Sequence, residues 1–161
     1  MNDRYLYKAK QKNWRELPKE EHWVYGYYVR GFNECEEPID IMFEPTSVFS
    51  SNGKTDGWDE IDPTTLCACT GLKDKNDKLI WENDIVEFED TGEEGYEYKE
   101  GFDFENRAKV EFAEARWSLT DFVSTNSSVV DEMYNHAEFM DFWQYCEVIG
   151  NIFDNLELME V

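Results

Sequence analysis

The segment from Thr70 to Val86, TGLKDKNDKLIWENDIV, constrains the fold of this chain more than any other part of it. Its apolar residues occur in short runs that are separated by charged and turn-forming residues, a pattern typical of short strands joined by tight turns. Asp77 and Asn83 fall at the expected turns, and Asn is the better of the two at positive φ. The segment therefore predicts a charged hairpin loop, a short apolar strand, a tight turn and a second strand.

The rest of the chain also reads mostly as strands. The segment from His22 to Arg30 is rich in Trp, Tyr and Val, which favour a pleated surface. Further strands are expected at Arg107–Ala113, Ala115–Thr120 and Tyr145–Phe153. In the segment from His22 to Arg30, alternation puts one set of large side chains on one face and a second set on the other. The first set is Trp23, Tyr25, Tyr27 and Val29, and the second is Val24 and Tyr28.

One helix is predicted, from Val129 to Phe142. Ser127 or Ser128 can cap it, because a serine hydroxyl accepts a hydrogen bond from a free N–H of the first turn. The expected apolar stripe consists of Val129, Met133, His136, Ala137 and Met140.

Composition supports a folded core. The 161 residues are 41% hydrophobic and 16% aromatic, and no apolar run approaches the ~18 residues of a membrane span. The first residues lack the apolar stretch of a signal peptide, so we expect the protein to stay in the cytoplasm. The cysteines Cys35, Cys67, Cys69 and Cys146 are then expected to be reduced thiols.

The net charge of −22 bounds the partners that the chain can bind. Such a field repels nucleic acid and membranes with anionic headgroups, and it attracts basic protein surfaces. Acidity can serve solubility alone, or it can imitate DNA phosphates in order to occupy a DNA-binding protein. The candidate partner-binding surface is an acidic loop and the residues that flank it: Glu87, Glu89, Asp90, Glu93, Glu94, Glu97, Glu100, Asp103 and Glu105.

Two groups of residues have metal-ligating side chains, and each group also has a simpler structural role. Cys67 and Cys69 share one face of a strand, and Cys35, Cys146, His22 and His136 could complete a zinc set, but the spacing favours reduced, mostly buried thiols. Asp62, Asp74, Glu82 and Asp84 could hold magnesium in a nuclease. The structural alternative for these carboxylates has Asp84 bonding turn amides and Asp74 and Lys75 solvating a loop. We expect no catalytic residues, no metal and no cofactor.

The segment from Thr70 to Val86 resembles the signature of the YopX family of phage and prophage proteins, which reads roughly TGLKDKNGKxIxEGDIV. Asp62–Leu66 before it and Glu147–Phe153 after it also resemble that family's pattern. Asp77 and Asn83 depart from the family at two glycine positions. The resemblance implies life in a bacterial host and offers no established activity. The signature residues, expected to be structural, are Thr70, Gly71, Leu72, Asp74, Asn76, Ile80, Glu82, Asp84, Ile85, Val86, Ile149, Gly150 and Asn151.

These observations predict a mainly β protein with two parts. Residues 1–61 would form an aromatic β segment, and residues 62–161 a small SH3-like barrel or bent sheet with one helix. The leading functional hypothesis is a non-enzymatic accessory protein that works through contacts with a host or phage protein, or as a homo-oligomer. The alternatives are an acidic DNA mimic and, less favoured, a magnesium-dependent enzyme. Neither direct nucleic-acid binding nor membrane binding is expected.

Overall fold

The structure is a computed structural model that describes residues 5–44, 57–91, 104–133 and 136–160. The chain divides into two compact units, Met1–Cys69 and Thr70–Val161. The predicted domain boundary between residues 61 and 62 stays a prediction. The described strands pair in antiparallel fashion and the helices are short, so the mainly β prediction is confirmed.

Ten strands and two α-helices make up the regular structure of the described residues. The strands are Tyr7–Lys10 (β1), Trp23–Phe32 (β2), Pro38–Phe43 (β3), Trp58–Glu60 (β4), Cys67–Lys73 (β5), Leu79–Trp81 (β6), Asp84–Asp90 (β7), Phe104–Ala113 (β8), Arg116–Thr120 (β9) and Glu147–Asn151 (β10). The helices are Ser128–Glu132 (α1) and His136–Phe142 (α2), and short 3-10 helices lie at Trp14–Glu16, Lys19–Glu21, Pro63–Thr65 and Leu156–Met159.

In the first unit, the strands follow the order β4-β3-β2-β1-β5. One face of this sheet covers a small core of Ala9, Met42 and Ile61. Gly26 in β2 allows the next strand to approach closely, because a Cβ at this position would lie 1.8 Å from the carbonyl oxygen of Phe43. The predicted alternation of side chains along β2 therefore has one face over a core and the other toward solvent.

In the second unit, β10-β7-β8-β9 form a four-stranded sheet, and the end of β5 pairs with β6. The outer strands β9 and β10 do not pair with each other in the described part of the chain, so the SH3-like barrel is not confirmed. The sheet is open. Its core is apolar and largely aromatic: Ile80, Val86, Phe88, Ala108, Val110, Leu119, Val129, Phe139, Phe142, Trp143, Cys146 and Val148.

The predicted helix is two short helices, α1 and α2, with residues 134–135 outside the described part. The Arg116 guanidinium donates a hydrogen bond to the Met133 carbonyl, an acceptor that a continuous helix would pair with an N–H four residues later. Met140 is exposed and not part of a buried stripe, whereas Phe139 and Phe142 are buried. Neither described helix is long and apolar enough to cross a membrane.

The four cysteines are free thiols, of which Cys67, Cys69 and Cys146 are buried and Cys35 is exposed. Burial raises the pKa of the Cys146 thiol to about 12, and the nearby Asp74 carboxylate adds to the effect. The thiolate is the form that reacts with disulfide reagents, and a buried thiol is also out of their reach.

We therefore expect one thiol per native chain, that of Cys35, to react quickly with a disulfide reagent such as Ellman's reagent. The other three should react only after unfolding in urea. Cys35→Ser should remove the fast phase and leave the slow ones. A fast phase that persists in this variant would show that a second cysteine is accessible in the native protein.

Candidate functional site

The signature turns are built around carboxylates that accept backbone N–H groups. Asp74 is buried, and its Oδ1 accepts the N–H groups of Asn76 and Lys78 at 2.8 and 2.9 Å, while Oδ2 accepts that of Val148 at 3.0 Å. Burial raises the pKa of the Asp74 carboxyl, but these three donors outweigh it and lower the pKa below 3.8. The expectation that Asp74 solvates a loop is wrong, because the carboxylate is needed inside as an acceptor.

The Asp74–Lys78 turn also covers the outer edge of β10. The Lys75 N–H donates to the Cys146 carbonyl at 2.9 Å, and the Lys78 ammonium reaches the Val148 carbonyl at 3.3 Å. Lys75 adds an ion pair to Glu147 at 2.6 Å. Together with the bond from the Val148 N–H to Asp74, these contacts occupy polar groups that an open edge strand would present to other chains.

The other signature residues also have structural contacts. The Asp84 carboxylate accepts the Trp81 N–H at 2.8 Å, and the Thr70 hydroxyl donates to the Ile80 carbonyl at 2.7 Å. Gly150 leaves room for Asn155, whose Oδ1 would lie 2.6 Å from a Cβ at that position. Among the others, Ile80, Ile85 and Val86 are buried, whereas Leu72, Glu82 and Ile149 are half-buried. Gly71 in β5 and Asn76 in the turn are exposed, and the Asn151 side chain accepts the N–H groups of Phe153 and Asp154.

The four carboxylates of the magnesium alternative do not form a metal-holding group among the described residues. Asp62 belongs to the first unit, where its side chain caps the 3-10 helix by accepting the Thr64 N–H at 3.1 Å. The carboxylates of Asp74 and Asp84 accept hydrogen bonds from backbone N–H groups of the turns. Within the ranges that the structure describes, no three His, Cys, Asp or Glu side chains lie close enough together to hold a metal ion, and this includes the zinc candidates as far as they are described.

The candidate acidic surface is only partly placed. Glu93, Glu94, Glu97, Glu100 and Asp103 lie outside the described residues. Glu89 and Glu105 are exposed and directly opposite each other in the β7–β8 pair, while Glu87 is paired with Arg107 at 2.8 Å.

Asp90 is not a surface residue. It is buried, and its carboxylate accepts hydrogen bonds from the Asn106 amide and from the Ser127 and Ser128 hydroxyls at 2.9, 2.5 and 3.0 Å. Its Oδ1 also accepts the Ser128 N–H at 2.9 Å, which gives a hydrogen-bond partner to a backbone N–H at the start of α1. The prediction that Asp90 contributes to a partner-binding surface is wrong, because its charge is used to join β7 to that helix.

The first unit carries an exposed apolar face that we name the β2–β4 face. It consists of the β2 side chains that point away from the core and their neighbours across β3 and β4. The pairs Tyr27 with Phe43, Val29 with Ile41 and Phe43 with Trp58 make it continuous. The most exposed members are Tyr25 (50%), Trp58 (46%), Val29 (44%) and Tyr27 (41%).

Sequence reasoning placed the β2 side chains on this face but did not identify it as a site. Alternation shows which side chains point the same way, and both faces of β2 carry large residues. The exposed apolar face becomes apparent only from the pairing of β2 with β3 and of β3 with β4, which the sequence does not show. Contiguous exposed apolar surface of this kind marks interaction sites in soluble proteins.

Two antiparallel sheets and the turns of the Thr70–Val86 segment define a mainly β protein. A family model described as YopX protein matches residues 18–160, and the chain belongs to the YopX family. No curated protein matches it. The chain is similar to the crystal structure of protein EF1440 from Enterococcus faecalis, at 18% identity over 97% of each chain, with a TM-score of 0.48.

Proposed function

We propose that this protein is a phage- or prophage-encoded accessory protein without enzymatic activity, and that it works in the cytoplasm of a bacterial host through protein–protein contacts. Family membership supports the setting. The observation that carries the proposal is the β2–β4 face, where Tyr25, Tyr27, Val29 and Trp58 expose apolar surface together.

The occupant that we propose for this face is a second copy of the chain. Residues 1–69 hold 8 basic and 13 acidic residues, a net charge of −5, whereas residues 70–161 hold 7 and 24, a net charge of −17. Two identical acidic chains repel each other least where their charge is lowest, which is on the first unit. Contact between the same face of two copies also suits the two-fold symmetry of most homodimers.

A lysine in the β2–β4 face tests this proposal. Val29→Lys should weaken dimerisation by about tenfold or more, ~1.4 kcal/mol, because it places a charge in an apolar contact. The measurement is the molar mass in solution, by light scattering after size exclusion, over a dilution series. Dimerisation of the wild type should strengthen as salt rises, because salt screens the repulsion between the two acidic chains.

Phe32→Lys is the matched control. Phe32 is also in β2 and is 75% exposed, but its side chain alternates to the opposite side from Val29. This variant should dimerise like the wild type. A wild-type protein that is monomeric at every salt concentration, or equal losses in the two variants, would overturn self-association through this face.

A DNA mimic is the second candidate function. The observation that favours it is the pair Glu89 and Glu105, two exposed carboxylates held opposite each other in the unit that carries a net charge of −17. A mimic should retain a basic DNA-binding protein of the host at low salt, release it steeply as salt rises, and lose it to duplex DNA. Retention that resists both salt and DNA would contradict mimicry.

A further inference from the structure

A groove of about 490 Å³ lies in the second unit beside the N-terminal end of α1 and the C-terminal end of α2. Phe88, Val129 and Phe142 contribute apolar, buried side chains to it. Glu89 and Asp141 are exposed carboxylates on its lining. The lining therefore combines an apolar floor with negative charge.

The Glu89 carboxylate has no cation within the described part of the chain. Its strand neighbour Glu87 is paired with Arg107, but Glu89 faces Glu105 across the β7–β8 pair and takes part in no ion pair between described residues. Like charges directly opposite in a sheet destabilise each other. A cation supplied from outside would relieve that repulsion.

Tyr145 completes the lining. Its side chain is 74% exposed, at the turn that follows α2, where its N–H donates to the Phe142 carbonyl at 2.9 Å. The face of a tyrosine ring attracts an ammonium or guanidinium group, and it does so best beside carboxylates that bind the same cation. An apolar floor with a charged, aromatic rim matches a long side chain that has an apolar stem and a cationic end.

We propose that this groove binds a lysine or arginine side chain of a basic partner protein. The stem lies over Phe88, Val129 and Phe142, and the cationic end meets Glu89, Asp141 and the ring of Tyr145. The net charge of −17 on the unit attracts such a partner from a distance, and the groove selects the side chain. This inference rests on the proposed contact function, but it involves a surface separate from the β2–β4 face.

The test is the affinity of the full chain for a fluorescein-labelled oligolysine peptide, measured by anisotropy at low salt. Glu89→Gln with Asp141→Asn should weaken binding about fivefold, since each exposed ion pair contributes roughly 0.5 kcal/mol. The matched control, Glu114→Gln with Glu157→Gln, makes the same change in net charge at two exposed positions away from the groove. It should weaken binding less than about twofold.

Tyr145→Phe and Tyr145→Ala separate the ring from the hydroxyl. The phenylalanine variant should bind like the wild type, and the alanine variant about threefold more weakly, as expected for an exposed cation–π contact. Equal losses of peptide affinity in the two double variants, or no loss in Tyr145→Ala, would overturn the proposal that this groove binds a basic side chain. Val29→Lys changes the net charge by one and should lower the peptide affinity no more than the control double variant does, so failure of the groove is distinguishable from failure of the β2–β4 face.

Discussion

Replacing Asp74 with alanine should lower the free energy of unfolding by on the order of 4 kcal/mol. The substitution leaves three N–H donors, those of Asn76, Lys78 and Val148, without the carboxylate that they share. Hydrogen bonds to a charged group are among the stronger ones, and a buried donor without an acceptor is costly. Urea denaturation measures the loss, and amide exchange at Val148 locates it, because this N–H becomes free to exchange with solvent.

The same chemical change at two positions of one turn provides the control. Asp74→Asn turns one acceptor into a donor that faces backbone N–H groups, and it should cost roughly 2 kcal/mol. Asp77→Asn removes a charge whose ion pair, with Lys73, is exposed, and it keeps a residue suited to φ 64°, so it should cost less than about 0.5 kcal/mol. Equal losses in the two variants would show that charge, not acceptor geometry, stabilises the turn.

The contribution of Asp74 to the free energy of unfolding should also depend on pH. Because its pKa is lowered from 3.8 in the folded protein, ionisation of this carboxyl is coupled to folding. The contribution is fully present above the ordinary pKa and is lost as the pH falls through the lower, folded value. The difference in free energy of unfolding between the wild type and Asp74→Asn should therefore be constant near neutral pH and shrink at pH values below 3.8. A difference that grows on acidification would contradict this assignment.

Gly26→Ala should be the most damaging conservative change in the first unit. The new Cβ would lie 1.8 Å from the Phe43 carbonyl oxygen and 2.6 Å from the Phe43 carbonyl carbon. Both are backbone atoms, so no side-chain rotation relieves the overlap, and β2 and β3 must separate. We expect a loss of more than about 3 kcal/mol, measured by urea denaturation of the full chain.

Gly31→Ala in the same strand is the matched substitution. A Cβ at Gly31 would meet nothing within 4 Å, so this variant should be within about 1 kcal/mol of the wild type and is expected to be slightly more stable. If the two alanine variants unfold alike, the close approach of Phe43 to Gly26 does not limit the stability of the unit.

The turns of the signature were predictable because local chemistry determines them. Asn83 has φ 66°, as expected of a residue that replaces glycine in a tight turn, and Asp77 has φ 64°. The β8–β9 hairpin was also expected, but its turn residues Glu114 and Ala115 have φ 51° and 64° without any Gly or Asn to signal them. Pairing of the flanking strands forces that turn, and the composition of the turn itself does not reveal it.

Burial of individual carboxylates could not be predicted from composition. Asp90 lies in an acidic stretch of the sequence, a pattern typical of solvated residues. Its carboxylate nevertheless accepts hydrogen bonds from Ser127 and Ser128, at the start of a helix nearly forty residues later. In the same way, the Met133 carbonyl after α1 accepts a hydrogen bond from Arg116, which comes from a different element. Contacts between residues far apart in sequence determined these outcomes, and single-sequence patterns do not record such contacts.

The bond between Asp74 and Val148 spans 74 residues, and this separation bears on how the second unit is synthesised. A ribosome makes the turn before the strand that it covers, so the polar edge of β7, which β10 pairs in the finished sheet, stays open until β10 has been made. A nascent chain that stalls before Val148 exposes that edge to its neighbours. The β10-β7-β8-β9 sheet is therefore completed only after β10, the last of the described strands, has been synthesised.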